Sequence, residues 1–252
     1  MNPAVIDTVR AWIEAADAIV VFSGAGISAE SGVPTFRDAQ TGLWAKFRPE
    51  ELATEQAFRD NPQRVWDWYA ERRETLSTVQ PNAGHLAVAQ FQERHPDRLT
   101  VVTQNVDDLH QRAGSPDVLA VHGHLFEDEW LNPCPLAGMG TPACAPEHAE
   151  PGRPPSCLQC GNQLRPGVVW FGEMLPEGVM QRAEIASRSC DLMLVVGTSG
   201  QVWPAAGLAH SARQAGARVV VLNPAPSDLD AVAHEVLGTS AATGLPALLD
   251  GL

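Results

Sequence analysis

The sequence is short of basic residues, of long apolar runs and of cysteine. Against 30 Asp and Glu it carries 17 Lys and Arg, a formal net charge of −13. That balance excludes a general binder of nucleic acid or of an anionic membrane, because the sequence-independent part of such binding would be repulsive. A basic partner, such as a lysine-rich protein segment, stays open. No apolar run approaches the roughly 20 residues that a membrane-spanning helix needs. The opening stretch MNPAVIDTVRAWIEAAD carries acids and a helical period instead of the pattern of a secretory leader, so a cytoplasmic protein is expected. Only five of the 252 residues are cysteine. Cys134, Cys144, Cys157 and Cys160 cluster, and Cys190 stands alone; in a non-secreted chain such a cluster points to metal before disulfide. There is no internal repeat and no long linker.

What is present is the composition of an ordinary globular domain, 44% apolar and 19% charged. Short, uniformly apolar, β-branched runs recur at 18–22, 99–105, 192–199 and 217–223, as strands buried on both faces of a parallel sheet require. Helical patterns at 4–17, 83–95, 178–188 and 204–215 separate them. The alternation predicts an α/β fold, a doubly wound Rossmann-like parallel sheet with its ligand at the carboxyl ends of the strands. Residues 39–82 read as helices of their own, and residues 124–167 are rich in Pro, Gly and Cys. The expected organisation is a main domain of 1–38, 83–123 and 168–252, with 39–82 and the Cys-containing 124–167 forming a smaller lobe.

Three strand exits carry candidate chemistry. After the first run, Gly24-Ala25-Gly26 lets backbone approach a phosphate and turn N–H groups toward it, although small residues also leave strands for no functional reason. An ordinary nicotinamide dehydrogenase would place a carboxylate some 20 residues on, at the end of a second strand. Lys46 stands there, in a stretch that is not strand-like. The second exit, VVTQNVDDLH, presents Gln104, Asn105 and Asp107, which can read ribose hydroxyls and a carboxamide; Asp107 or Asp108 alone would more simply cap the next helix. The third, VVGTSGQVWP, is again small and hydroxylated. Between them HGH puts His122 and His124 on one face if extended, as structural histidines or half a metal site.

Taken together and in order, GAGISAESGVPTFRD, TQNVDDLH, HGH, CLQCG, RPGVVWFGE, VVGTSGQVWPAAG and VLNP resemble the sirtuins, NAD-dependent protein lysine deacylases, over residues 12 to about 246. The resemblance implies that Gly24, Ala25, Gly26 and Ser28 hold NAD, with Phe36 and Arg37 on a mobile lid. It implies that Gln104, Asn105 and Asp107 face the nicotinamide and its ribose, that Gly197, Thr198 and Ser199 hold the adenosine half with Asn223 and Ala241, and that His122 is the general base. Asn105 and Asp107 count with His122 as catalytic. The implied products are free lysine, nicotinamide and O-acyl-ADP-ribose. Segments 168–173 and 200–204, with Val169, Phe171 and Val202, resemble the two edges between which a substrate peptide is held by strand addition. Protein mono-ADP-ribosyl transfer, or a non-catalytic NAD or ADP-ribose binding module, are the alternatives. A monomer acting on acyl-lysine proteins is expected.

Two departures matter. The family's first zinc Cys-x-x-Cys falls at Trp130 and Pro133, which cannot ligate, and Gly167 replaces a histidine of the RPHVVWFGE pattern. Cys157 and Cys160 keep the second pair, and Cys134 and Cys144, with His148 a spare, are the substitutes for a structural zinc, against reduced structural thiols. In NPQRVWDWYAERRETL, Val65, Tyr69 and Leu76 share one helical face, and Arg72 lies on it one turn from Tyr69. An arginine there needs an anion or a route to solvent. Tyr69-x-x-Arg72 resembles the pair that binds the acyl carboxylate in the desuccinylase and demalonylase branch of the family.

Overall fold

The computed structural model describes residues 2–34, 51–134 and 149–252. Helix α1 (Pro3–Ala15) begins where the Asn2 side chain accepts the Ala4 N–H at 3.1 Å, with Pro3 in the first turn. Strand β1 (Ile19–Ser23) follows, buried throughout. Next come α2 (Glu55–Asp60), α3 (Pro62–Thr78) and α4 (Ala83–Arg94), capped by the side chains of Thr54, Asn61 and Asn82. The chain continues through β2 (Leu99–Thr103), α5 (Leu109–Ala113), β3 (Val118–Ala120), β4 (Gly123–Trp130), β5 (Ala149–Glu150), β6 (Ser156–Cys157) and β7 (Leu164–Val168). It ends with α6 (Glu177–Ser189), β8 (Leu192–Val196), α7 (Gly207–Gln214), β9 (Arg218–Leu222), β10 (Glu235–Leu237) and α8 (Ala241–Leu249).

Six strands form one parallel sheet in the order β10-β9-β8-β1-β2-β3. From β1 the chain steps outward through β2 to β3, returns to β8 on the other side of β1, and steps outward again. The reversal leaves a crevice above the carboxyl ends of β1 and β8, where ligands of such sheets bind. Side chains alternate between two apolar layers. Ile19 and Val21 of β1 face a cluster with Val9, Val88 and Leu248; Val20 and Phe22 face another with Ala183, Leu208 and Ala212.

The predicted α/β class and its four apolar strands are therefore present. Strands β3 and β10 have three residues each, too few to show as a run. Helix α8 was not among the predicted helices; it carries Gly244 and Pro246 inside it, both poor helix formers. Gly244 is there for room: a Cβ would lie 2.7 Å from Thr239 Cγ2 and 2.9 Å from Leu222 Cδ2. Around 124–167, where little periodicity was visible, β4 and β7 pair antiparallel with a register shift between Gly123 and Asp128. They share a third apolar cluster with α2 and α3, built on Phe58, Val65, Tyr69, Leu125, Val168 and Trp170. Among the described residues no helix is long and apolar enough to cross a membrane.

Beneath the crevice two histidines meet edge to face, His85 of α4 and His110 of α5, with ring centroids 5.0 Å apart. Burial pushes His85 down to about 4 and His110, which also feels His85, down to about 3. Both stay neutral when folded, whereas the unfolded chain protonates them below about pH 6.5. Stability is therefore intact above that pH and falls as pH drops from about 6.5 toward 4, by about 1.4 kcal/mol per pH unit for each histidine. Urea unfolding midpoints should drop across this window, and a level midpoint would contradict the neutral pair.

Candidate active site

At the carboxyl ends of β1 and β8 two loops press backbone on backbone. Gly24 donates its N–H to the Val196 carbonyl at 2.9 Å, and Gly26 to that of Gly197 at 2.7 Å. A Cβ on Gly26 would lie 2.6 Å from the Gly197 Cα, and one on Gly197 2.3 Å from the Ile27 nitrogen. Gly197 also has φ +62°, where L side chains are strained. The glycines were expected for ligand approach; the two loops already require them for each other.

Over this junction opens a cavity of about 620 Å³. Gly24, Ala25 and Gly26 line one side and Gly197, Thr198 and Ser199 another, with Gln104, Asn105, His122 and Asn223 completing the wall. Gln104 Nε2 donates to Thr198 Oγ1 at 3.0 Å, tying the exit of β2 to that of β8. Asn223 Nδ2 donates to the Ala225 carbonyl at 2.7 Å, which sets the exit of β9.

Ser28, Asp107 and Ala241 do not line the cavity. Ser28 is fully buried and donates to Asp107 Oδ2 at 2.9 Å while accepting from Asn105 Nδ2 at 3.2 Å. Asp107 Oδ1 accepts the N–H of Leu109, the first residue of α5, at 3.1 Å, whereas Asp108 at the N-cap itself makes no side-chain cap bond. Burial raises the Asp107 pKa, and the Leu109 and Ser28 hydrogen bonds partly offset this. Asp107 thus acts through Ser28, which orients Asn105 with Oδ1 left as an acceptor for a ligand. Ala241 opens α8 with its methyl group in the core; its neighbour Ser240 reaches the cavity instead. Phe36 and Arg37 lie outside the described residues.

His122 precedes β4 rather than lying in it, and His124, within the strand, turns its Nδ1 to the Phe126 N–H at 3.3 Å and is not on the cavity wall. The two histidines are not a pair. His122 Nδ1 lies 2.9 Å from the Gln104 carbonyl. A carbonyl only accepts, so Nδ1 carries the hydrogen and Nε2 keeps its lone pair. Burial pushes the His122 pKa down, and the bond to Gln104 offsets part of the shift. The result is a neutral imidazole on a cavity wall, able to take up a proton at Nε2.

Val169, Phe171 and Val202 line the cavity mouth, with Phe171 52% and Val202 38% exposed. The two segments are less extended than expected. Val169 and Phe171 already donate their N–H groups to His122 and Ala53, and the Ala206 N–H bonds back to the Val202 carbonyl at 3.0 Å, so 202–206 is a turn. Tyr69 and Arg72 do not line the cavity; Tyr69 stands behind Trp170, which does. The Tyr69 oxygen accepts from Trp170 Nε1 at 3.0 Å. Burial, partly offset by the Arg72 charge and the Trp170 bond, pushes the phenol up to about 12. The Arg72 guanidinium is 4.7 Å from the Trp68 ring centroid, and burial lowers its pKa, with Tyr69 and Asp107 offsetting.

Cys157 and Cys160 flank a tight turn in which the Gly161 N–H bonds to the Cys157 carbonyl at 2.8 Å, with Gly161 at φ +69°. This knuckle suits two thiolates of a tetrahedral metal site. Among the described residues no group of three or more His, Cys, Asp or Glu could hold a metal ion. Cys134 is described and Cys144 lies outside the described residues.

The fold and the cavity define a dinucleotide-binding α/β protein with a neutral histidine at its ligand crevice. A profile of the Sir2 family matches residues 24–204, and the chain belongs to that family. It is 58% identical over 240 residues to an NAD-dependent protein deacylase of Ralstonia nicotianae, covering 95% of this chain and 94% of the relative. With one of Mycolicibacterium paratuberculosis it shares 51% over 237 residues, 93% and 97% of the two chains. Among solved structures, a complex of a Sir2 homologue with NAD superposes with TM-score 0.82 at 40% identity, covering 99% of this chain and 93% of that one. A Sir2 complex with a p53 peptide and NAD superposes with TM-score 0.80 at 26% identity, covering 97% of each.

Sequence reasoning named about half of the cavity wall but missed Glu173 and Trp170 on it and Arg165 behind it, although RPGVVWFGE contains all three. By nitrogen-15 NMR, the His122 imidazole should titrate below the ordinary value of about 6.5 with the proton on Nδ1. A proton on Nε2 would remove the Gln104 contact as the cause of the tautomer, and a normal titration would remove burial as the cause of the lowered pKa.

Proposed function

We infer that the protein is an NAD-dependent protein lysine deacylase whose acyl pocket favours a carboxylate-ended group, succinyl or malonyl, over acetyl. The observation that carries the activity is the neutral His122, with a bare Nε2, on the wall of the cavity above the paired glycine loops. The names of the relatives support the same reading. NAD, when bound, supplies the ribose that takes up the acyl group as nicotinamide leaves.

Each wall of the cavity has a part in this. Gly24, Ala25 and Gly26 offer a surface without side-chain bulk for the pyrophosphate, and Gly197, Thr198, Ser199 and Asn223 hold the adenosine half. Gln104 and Asn105 face the nicotinamide ribose, Asn105 oriented through Ser28 and Asp107. His122 removes a ribose hydroxyl proton at Nε2; its lowered pKa keeps it unprotonated at neutral pH, ready to act as general base. Phe171, Val202 and the 62% exposed Trp203 give the acyl-lysine peptide an apolar mouth to lie against.

The acyl preference rests on Tyr69 and Arg72. A guanidinium and a protonated phenol one helical turn apart fit an acyl carboxylate, and charge-assisted contacts of this kind are strong and selective. With NAD present, succinyl- or malonyl-lysine peptide should be cleaved with higher kcat/KM than acetyl-lysine peptide. Arg72→Met should remove most of the difference, a loss of about 2–4 kcal/mol on the carboxylated substrate. A wild-type preference for acetyl-lysine, or equal slowing of both substrates in the variant, would make Arg72 structural.

We read a metal, in the same way, as structural. Cys157 and Cys160 supply half of a tetrahedral set, and Cys190, buried between α6 and β8, is out of reach. We read Cys134 and Cys144 as the other two ligands, with His148 as the spare, and four thiolates leave no open position for catalysis. If the wild type carries zinc by elemental analysis, a Cys134→Ser, Cys144→Ser double variant should carry none; a wild type without zinc means reduced structural thiols. Stoichiometric zinc in that variant would refute the four-cysteine set.

A further inference from the structure

Trp170 is held more firmly than a cavity-lining side chain needs to be. The Arg165 guanidinium lies 3.5 Å from the centroid of its ring, and the Phe58 ring packs at 5.3 Å. Arg165 is 5% exposed. Its NH2 donates to the Val168 carbonyl at 2.7 Å and to Glu173 Oε2 at 3.0 Å, and its NH1 pairs with Glu173 Oε1. Glu173 Oε2 also accepts the Trp170 backbone N–H at 2.8 Å. Backbone and ring of Trp170 are thus fixed by a buried arginine and its half-buried partner Glu173, and the indole N–H points to the Tyr69 oxygen at 3.0 Å.

The direction of that bond matters. An indole nitrogen can only donate, whereas a phenol can both donate and accept. With its oxygen engaged by Trp170, Tyr69 is left with its own proton to give, and among the described residues the phenol donates to no acceptor. Tyr69 is 5% exposed, so water is a poor outlet, and a buried donor without a partner is costly. We propose that Trp170 is a specificity-positioning residue: its indole N–H commits the Tyr69 hydroxyl to donate to the substrate, so that the acyl pocket presents donors alone and selects an acyl group that ends in acceptor oxygens. The proposal rests on the carboxylate-pocket reading and adds to it the residue that sets the polarity of the phenol.

Trp170→Phe tests it, because the ring under Arg165 is kept and the N–H lost. The ratio of kcat/KM for succinyl-lysine over acetyl-lysine should fall about three- to tenfold, the worth of one hydrogen bond. The chain has a single tyrosine, so the tyrosine ring-mode doublet in the Raman spectrum reports Tyr69 alone and separates an accepting from a donating hydroxyl. The wild type should show an accepting phenol, and a tyrosine-free succinyl-lysine peptide should add the donating signature. In Trp170→Phe the accepting signature should vanish. A wild type without preference for succinyl-lysine defeats the carboxylate pocket and this proposal with it. A preserved ratio in Trp170→Phe, or a phenol that donates before substrate is added, defeats the role of Trp170 alone.

Discussion

The contact between Gly26 and Gly197 governs how close the ends of β1 and β8 can come, and the crevice follows from it. With the Gly26 N–H on the Gly197 carbonyl at 2.7 Å, two strand exits share a surface that a single methyl group would separate. Glycine here serves two demands at once. The loops must touch each other, and whatever lies above them must reach backbone without meeting side chains. Thr198, next along, extends the junction to β2 through Gln104, so three strand ends are locked into one floor.

On that floor the polar groups are kept in defined states by burial and by single hydrogen bonds. The Gln104 backbone carbonyl fixes the tautomer of His122 while its side chain holds Thr198. Ser28 connects Asp107 to Asn105, so a carboxylate that never reaches the cavity still sets the orientation of an amide that does. The same economy recurs behind the cavity, where the Arg165–Glu173 pair fixes Trp170 and Trp170 fixes the role of Tyr69. Low local dielectric makes each bond matter more than it would at the surface, and makes each missing one more expensive.

Legibility in the sequence followed length and spacing. The long strands showed because four or five apolar, β-branched residues in a row suit a strand buried on both faces and little else. The glycine loops and His122 were readable once their order along the chain was considered together. Ser28, Asp107 and Ala241 stand one layer behind the cavity wall: their positions along the loops are those of ligand-facing residues, and their side chains meet protein. Segment 200–204 was expected to be extended from the resemblance alone, yet a hydrogen bond from Ala206 to Val202 closes 202–206 into a turn. Arg165 and Glu173 were invisible for another reason. Their pairing joins a strand to the loop that follows it, and no periodicity marks two charges that meet only after the chain folds.

The strand order carries a consequence for how such a chain comes to be folded at all. Ile19 in β1 lies between Leu99 and Leu192, so the central strand waits for one neighbour through about a third of the chain and for the other through most of it. During synthesis from the amino end, β1 through β3 can assemble early, while one edge of β1 stays open until β8 has been made. Parallel pairing over such separations is slow, and an apolar edge left unpaired invites wrong partners. For this protein the vulnerable interval is therefore that between the appearance of β3 and that of β8, during which α6 and the cysteine-bearing segment are still being added.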